Sequence, residues 1–208
     1  MSGSGELVTL LSPLILASAS PRRRKILSGM GLQFRIVPAN VDETAPPGLP
    51  PERVAESLAL KKALSVAAGV ESGTVLGADT VVVGADGSLL GKPLDFEHAR
   101  AMLAGLSGTT HRVITGVALV HRPGGQQVLG HDVTSVTMRA MSQGEIEEYV
   151  STGEPFGKAG AYAIQEHADR FVSRLEGEYD NVVGLPSRRL RELFLRLERS
   201  LSGQGGVT

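Results

Sequence analysis

The sequence predicts a mixed α/β fold, and three observations carry that prediction. Short apolar runs bounded by Gly and Pro alternate with segments that open on helix-start signals. Their order lacks the strict strand-helix-strand repeat of a doubly wound parallel sheet. A long stretch in the middle of the chain reads as two strands joined by a Pro-Gly-Gly turn.

In chain order, Leu14 to Ala17 forms an opening strand, and Ser20-Pro21 starts a helix that carries Arg22, Arg23 and Arg24. "QFRIV" is a second strand. "NVDETAPPGLPP" is a loop leading into a helix from Pro51 to about Ala68. "TVLGADTVVV" is a buried strand whose "GADG" turn leads into "SLLGKP", and Asp95 caps a helix running to about Leu106. The hairpin spans "HRVITGVALVHRPGGQQVLGHDVTSVTMRAM". Ser142 and Glu145 form a capping box for a helix ending near Val150, and Ser187 to Leu201 is an amphipathic helix with Leu190, Leu193, Phe194 and Leu197 on its apolar face. The Gly/Ser-rich ends, residues 1–11 and 202–208, are expected to be flexible around a globular region 12–201.

Composition narrows the functional classes. A chain of 208 residues, 41% hydrophobic, is long enough to bury a core as one domain or as two small lobes. A net charge of -1 provides no global basic field, and five Phe, three Tyr and no Trp leave few stacking platforms, which together argue against a nucleic-acid partner. With no cysteine there are neither disulfides nor thiolate metal sites. The opening "MSGSGELVTL" has no basic, apolar signal pattern, and no stretch approaches the roughly 18 apolar residues of a membrane span, so a cytoplasmic location is expected.

Three features break local rules and so point to function. A helix N-terminus carries partial positive charge and ordinarily favours Asp or Glu, yet Arg22 and Arg23 stand in its first turn. With the hydroxyls of Ser18 and Ser20 and the free N–H groups of the turn, they form an anion site suited to a polyphosphate. Arg24 and Lys25 fit a solvated helix face instead. The Gly-x4-Gly-Lys spacing of a Walker loop is missing here. Lys62 is the second feature. At about 100° per residue it falls between Leu58 and Ala55 on the apolar arc of its helix, while Lys61 lies outside that arc. The third is Asp79, which interrupts a strand otherwise suited to burial, where a carboxylate needs a pair, a metal or a proton. Gly77 and Ala78 leave room beside it, and the following hairpin turn can return Lys92 toward it. The five histidines, His98, His111, His121, His131 and His167, show no ligand spacing and are given no role.

The motifs "SASPRR", "VDET", "LALKKA", "GADTVVV", "GKP", "KAGAYAIQ" and "NVVGLP", in this order and spacing, resemble those of the Maf family of nucleoside triphosphate pyrophosphatases, also called septum-formation inhibitors. The resemblance runs from Leu14 to about Leu195. It implies a mixed sheet in two lobes around a central cleft, a Maf/ITPase-like fold formed by a single Maf domain over 12–201, frequently as a homodimer. It also implies hydrolysis of a nucleoside triphosphate to the monophosphate and pyrophosphate with a divalent cation, Mg²⁺ or Mn²⁺. By the same resemblance Asp79 is the catalytic proton acceptor, aided by Lys62 and Lys92. Arg22, Arg23, Lys62 and Lys92 bind phosphate, and Arg22, Thr80 and Gln165 set specificity. Lys158, in "KAGAYAIQ", joins the substrate-binding set, and Glu43 joins Asp79 as a metal ligand. "KAGAYAIQ" is similar to the branch that acts on dTTP and UTP, with two departures: Gly157 stands where that branch carries Asp, and Ala163 where it carries Gly. The alternative expectation is a nucleotide-binding regulatory module of cell division with little turnover.

Overall fold

The computed structural model describes residues 11–203. In chain order these form β1 (Leu14–Leu16), α1 (Pro21–Gly29), β2 (Phe34–Ile36), α2 (Pro51–Ala67), β3 (Gly73–Val83), β4 (Leu89–Leu90), α3 (Phe96–Leu106), β5 (Thr110–Arg122), β6 (Gln127–Met138), α4 (Gln143–Ser151), β7 (Val172–Glu176), α5 (Tyr179–Val183) and α6 (Ser187–Leu201). The strands form one mixed sheet in the order β2-β1-β3-β5-β6-β7, with β4 paired to β3. The chain divides into two compact units, the first containing residues up to Asp79, Thr115–Asp132 and the segment from Gly184, the second Thr80–Ile114 and Val133–Val183.

In the first unit β1 pairs in parallel with both β2 and β3, Leu14 lying opposite Phe34 and Thr74. Side chains alternate between faces along each strand, and both faces are apolar. Leu14, Leu16, Leu76, Ala78, Val117 and Leu119 meet Leu190, Leu193, Phe194 and Leu197 of α6, the four residues expected on its apolar face. Ile15, Ala17, Val75, Ala118 and Val120 meet Ala59, Ala63, Val66 and Ala67 of α2 on the other side. Leu11, grouped in the sequence reading with the leading segment, is 5% exposed and belongs to the first of these cores. Most of the two ends expected to be flexible, residues 1–10 and 204–208, lie outside the described residues.

In the second unit the far end of β3 pairs antiparallel with β4, Val82 opposite Leu90, and β6 pairs antiparallel with β7 with an irregularity between Thr137 and Met138. Val82, Val113 and Val136 form its sheet core, with Leu90 and Val172 packed against them. The Asn181 amide on α5 donates to Val113 O at 3.0 Å and Thr134 Oγ1 at 2.9 Å, fixing α5 to two strands. The capping box of α4 forms as expected from Ser142 and Glu145. The sequence reading left β7, α5 and the two 3₁₀ turns, Ala159–Ala161 and His167–Phe171, unassigned. Each is at most five residues long, too short to establish a period.

Candidate active site

Two glycines govern the position of Lys62. A Cβ on Gly77 of β3 would run into the carbonyl oxygen of Ala59 and lie 2.8 Å from Ala63 N, and one on Gly116 of β5 would lie 2.5 Å from Glu56 N. Ala55, Ala59 and Ala63 recur every fourth residue on α2, so their methyl groups make one stripe facing those glycines. The helix therefore lies on the sheet closer than any side chain at 77 or 116 would permit, and Lys62, beside the stripe, reaches β3. Its Nζ sits 2.6 Å from Asp79 Oδ1 and 2.6 Å from Glu43 Oε1. The Lys62 and Asp79 side chains are 8% and 9% exposed, that of Glu43 41%. Lys61 points away and donates to Asp42 O at 2.7 Å from an exposed position, as the helical phase expects.

The first turn of α1 supplies the neighbouring cations. Ser20 caps the helix, its hydroxyl accepting from Arg23 N at 3.4 Å, and Ser18 Oγ accepts from Ser20 N at 3.2 Å and from Arg23 Nη1 at 3.3 Å. Arg23 Nε donates to Gly184 O at 2.8 Å, so this guanidinium is held from both ends. Burial lowers the Arg23 pKa from its ordinary value. Asp79 opposes that shift, Arg22 adds to it and Glu43 opposes it. Arg22 is half-buried, whereas Arg24 and Lys25 are exposed, as a solvated face requires.

Lys62 draws the Asp79 and Glu43 carboxylates to one point, and Arg23 feels the charge of both. Hard oxygen donors in this arrangement fit Mg²⁺ or Mn²⁺, cations that take one or two carboxylates and complete their shell with phosphate oxygens and water. Among the described residues, no group of three or more His, Cys, Asp or Glu side chains is arranged to hold a metal. The chain thus offers a partial donor set rather than a closed cage.

The remaining candidates lie in the second unit. Thr80 follows Asp79 in β3 and is half-buried. Lys92 is exposed just after β4, and the carbonyl of its neighbour Gly91 accepts from Gly160 N at 3.0 Å, which joins the "GKP" and "KAG" stretches. Lys158 is 14% exposed, donates to Glu154 O and lies 3.3 Å from Glu166 Oε2, while Gln165 is exposed on the turn that follows. Gly157 has φ +76°, a left-handed conformation that Gly adopts freely and Asp tolerates better than most residues.

Sequence reasoning missed three pairings, two of them between residues far apart in the chain and one within a single irregular segment. His131 Nδ1 meets the buried Glu56 at 2.8 Å, His167 Nδ1 meets Glu154 at 2.8 Å, and His111 Nε2 meets the Tyr162 hydroxyl at 2.7 Å. Burial alone would push the Glu154 carboxyl up, but hydrogen bonds from His167 and Tyr149 outweigh it and hold it below its ordinary value. The only local signal was polarity at otherwise apolar positions, visible at Glu56 and His111.

Residues 13–197 match the family model described as Maf-like protein. The chain is 50% identical over 184 residues to the dTTP/UTP pyrophosphatase of Pelotomaculum thermopropionicum, covering 88% of this chain and 96% of that one. It is 51% identical to the dTTP/UTP pyrophosphatase of Moorella thermoacetica, covering 88% and 94%, and 48% identical to that of Salinibacter ruber, covering 88% and 90%. The solved structure of the Staphylococcus aureus Ham1 protein superposes with a TM-score of 0.48 at 13% identity, covering 92% of this chain and 98% of that one. With the family model spanning nearly the whole described region and relatives at about half identity, the chain belongs to the Maf family.

Proposed function

We propose that this chain hydrolyses dTTP and UTP between the α- and β-phosphates, releasing the nucleoside monophosphate and pyrophosphate. The curated relatives that bear this activity in their names support the reading. The observation that carries it is the buried Lys62 ammonium holding Asp79 and Glu43 at 2.6 Å each. An ion cluster of this kind is expensive to bury for stability alone.

In this reading Asp79 orients a water and accepts its proton as the water oxygen bonds to the α-phosphorus. The bond from that phosphorus to the bridging oxygen breaks, and pyrophosphate leaves with the bridging oxygen. The proton then passes from Asp79 to solvent. Lys62 and Lys92, with Arg22 and Arg23, offset charge on the phosphate oxygens, and the hydroxyls of Ser18 and Ser20, which accept from the turn N–H groups, keep a hydrogen to donate to the phosphate tail. A divalent cation, held by Glu43 and Asp79, would add charge neutralisation at the phosphates. Thr80 and Gln165 read the base edge, with Lys158 supporting the nucleotide. The Maf domain spans 12–201, in a cytoplasmic homodimer. No described helix is long and apolar enough to cross a membrane.

Release of pyrophosphate and monophosphate from dTTP, UTP, CTP, ATP and GTP, with and without Mg²⁺ or Mn²⁺, tests the reading. Turnover led by dTTP and UTP supports it. Tight nucleotide binding without turnover would instead identify a regulatory module.

A further inference from the structure

His111 on β5 and Tyr162 form a buried polar pair to which the proposed chemistry gives no role. The Tyr162 hydroxyl lies 2.7 Å from His111 Nε2, and the rings meet edge to face with centroids 5.4 Å apart. The residues are 1% and 6% exposed. Burial pushes His111 down to about 4 and Tyr162 up, so both are neutral at neutral pH. His111 Nδ1 has no hydrogen-bond partner among the described residues. Burying a hydroxyl and an imidazole costs more than burying apolar side chains of similar size, so packing alone does not account for the pair.

The backbone beside it is strained. Gly160 has φ +71° and Ala161 φ +60°, and Ala161 is the one non-glycine residue with positive φ among those described. A left-handed alanine costs about 1–2 kcal/mol and persists only where its surroundings hold it. On one side the hold is Gly160, whose N–H donates to Gly91 O and whose Cα lies so close to Val82 that a Cβ would sit 3.1 Å from Val82 Cγ1. On the other side it is the Tyr162 hydroxyl on His111. The stem of the same segment is closed separately, by Glu154 accepting from Tyr149 Oη at 2.9 Å and from His167.

We propose that His111 and Tyr162 are positioning residues for nucleotide selection: their hydrogen bond fixes residues 158–165, and with them Lys158 and Gln165, on which discrimination among bases depends. This rests on the assignment of Lys158 and Gln165 to the nucleotide made above. Tyr162 follows Lys158 by four residues and precedes Gln165 by three, so it lies between the two groups it would place. Without the bond, the left-handed pair relaxes and the backbone that carries Gln165 shifts, while Lys62, Asp79 and Glu43, which lie outside this segment, keep their geometry.

The test compares kcat and KM for dTTP, UTP, CTP, ATP and GTP in wild type, Tyr162→Phe, His111→Leu and His111→Gln, with thermal stability measured alongside. The glutamine amide reaches about as far as the imidazole Nε2 and can donate or accept, so it conserves the bond. Tyr162→Phe and His111→Leu should lower the dTTP-over-ATP ratio of kcat/KM about tenfold, through KM with kcat within about twofold, and His111→Gln should restore it. An unchanged ratio in both bond-deleting variants, whatever their stability, overturns the proposal. If Tyr162→Phe does not fold, the leucine and glutamine variants at 111 decide by the same ratio. A wild type that does not favour dTTP and UTP would overturn the parent reading and this inference with it. A wild type that does, with ratios unmoved in the variants, overturns the inference alone.

Discussion

Around Asp79 the charged groups are positioned by backbone packing, whereas around Gln165 they are positioned by side-chain hydrogen bonds within an irregular segment. In the first region α2 rests on the sheet through Ala55, Ala59 and Ala63 facing Gly77 and Gly116, and Lys62 is delivered to Asp79 as a by-product of that contact. In the second, Gly160 and Ala161 adopt left-handed conformations, Gly160 N–H donates to Gly91 O, Tyr162 meets His111, and Glu154 with His167 closes the stem of the segment. Interlocked helix and sheet have little freedom to shift, so the first arrangement suits chemistry with a fixed geometry. A loop held by a few bonds changes shape when one is lost, so the geometry of the second depends on each of them.

The largest expected effect lies in the first region. Asp79→Asn should lower kcat about a thousandfold, the range for removing a general base, while stability holds, because an amide of the same shape replaces a buried carboxylate and Lys62 retains Glu43. Steady-state pyrophosphate release beside a thermal melt checks both parts. Near-wild-type turnover would remove Asp79 from the chemistry.

Lys62→Met comes next. It keeps the apolar stem but leaves Asp79 buried without its cation, so we expect loss of activity together with destabilisation of about 3 kcal/mol. The double variant Lys62→Met/Asp79→Asn should recover much of that stability and none of the activity. Lys61→Met, altering an exposed contact to Asp42 O, should change neither measurably. Denaturant titration of the three variants separates a packed ion pair from a mere surface charge.

A smaller effect distinguishes the second region by pH. Because burial depresses His111 to about 4 from 6.5, the unfolded chain binds its proton first as the solution acidifies. The stability tied to the neutral ring is complete above about pH 6.5 and is lost as pH falls toward about 4, by up to roughly 3 kcal/mol. His111→Gln should flatten that part of the stability-pH profile. An identical slope in wild type and variant would show that another group titrates there.

How legible each region was follows from the same contrast. Lys62 and Asp79 stood out because a charge on an apolar arc or inside a buried strand violates a period that helix or strand imposes over many residues. The arginines stood out because a helix N-terminus has a preferred charge. Lys158 and Gln165 violate no period, since the segment around them has none, and they were found by resemblance to family motifs. The pairs His111–Tyr162 and Glu154–His167 were not found, because a hydrogen bond across 51 residues, or within a loop of unassigned shape, leaves no mark on local pattern. The bounds of α2, and the bounds and apolar face of α6, were read almost to the residue, while β7 and α5 were too brief to show a repeat.

The central claim is that a water activated at Asp79 attacks the α-phosphorus of dTTP. Hydrolysis in ¹⁸O-labelled water under single-turnover conditions, followed by mass analysis of both products, tests it most directly. The account predicts dTMP and pyrophosphate in equal amounts, with one labelled oxygen in dTMP and none in pyrophosphate. Label in pyrophosphate, or release of dTDP and inorganic phosphate, would contradict it.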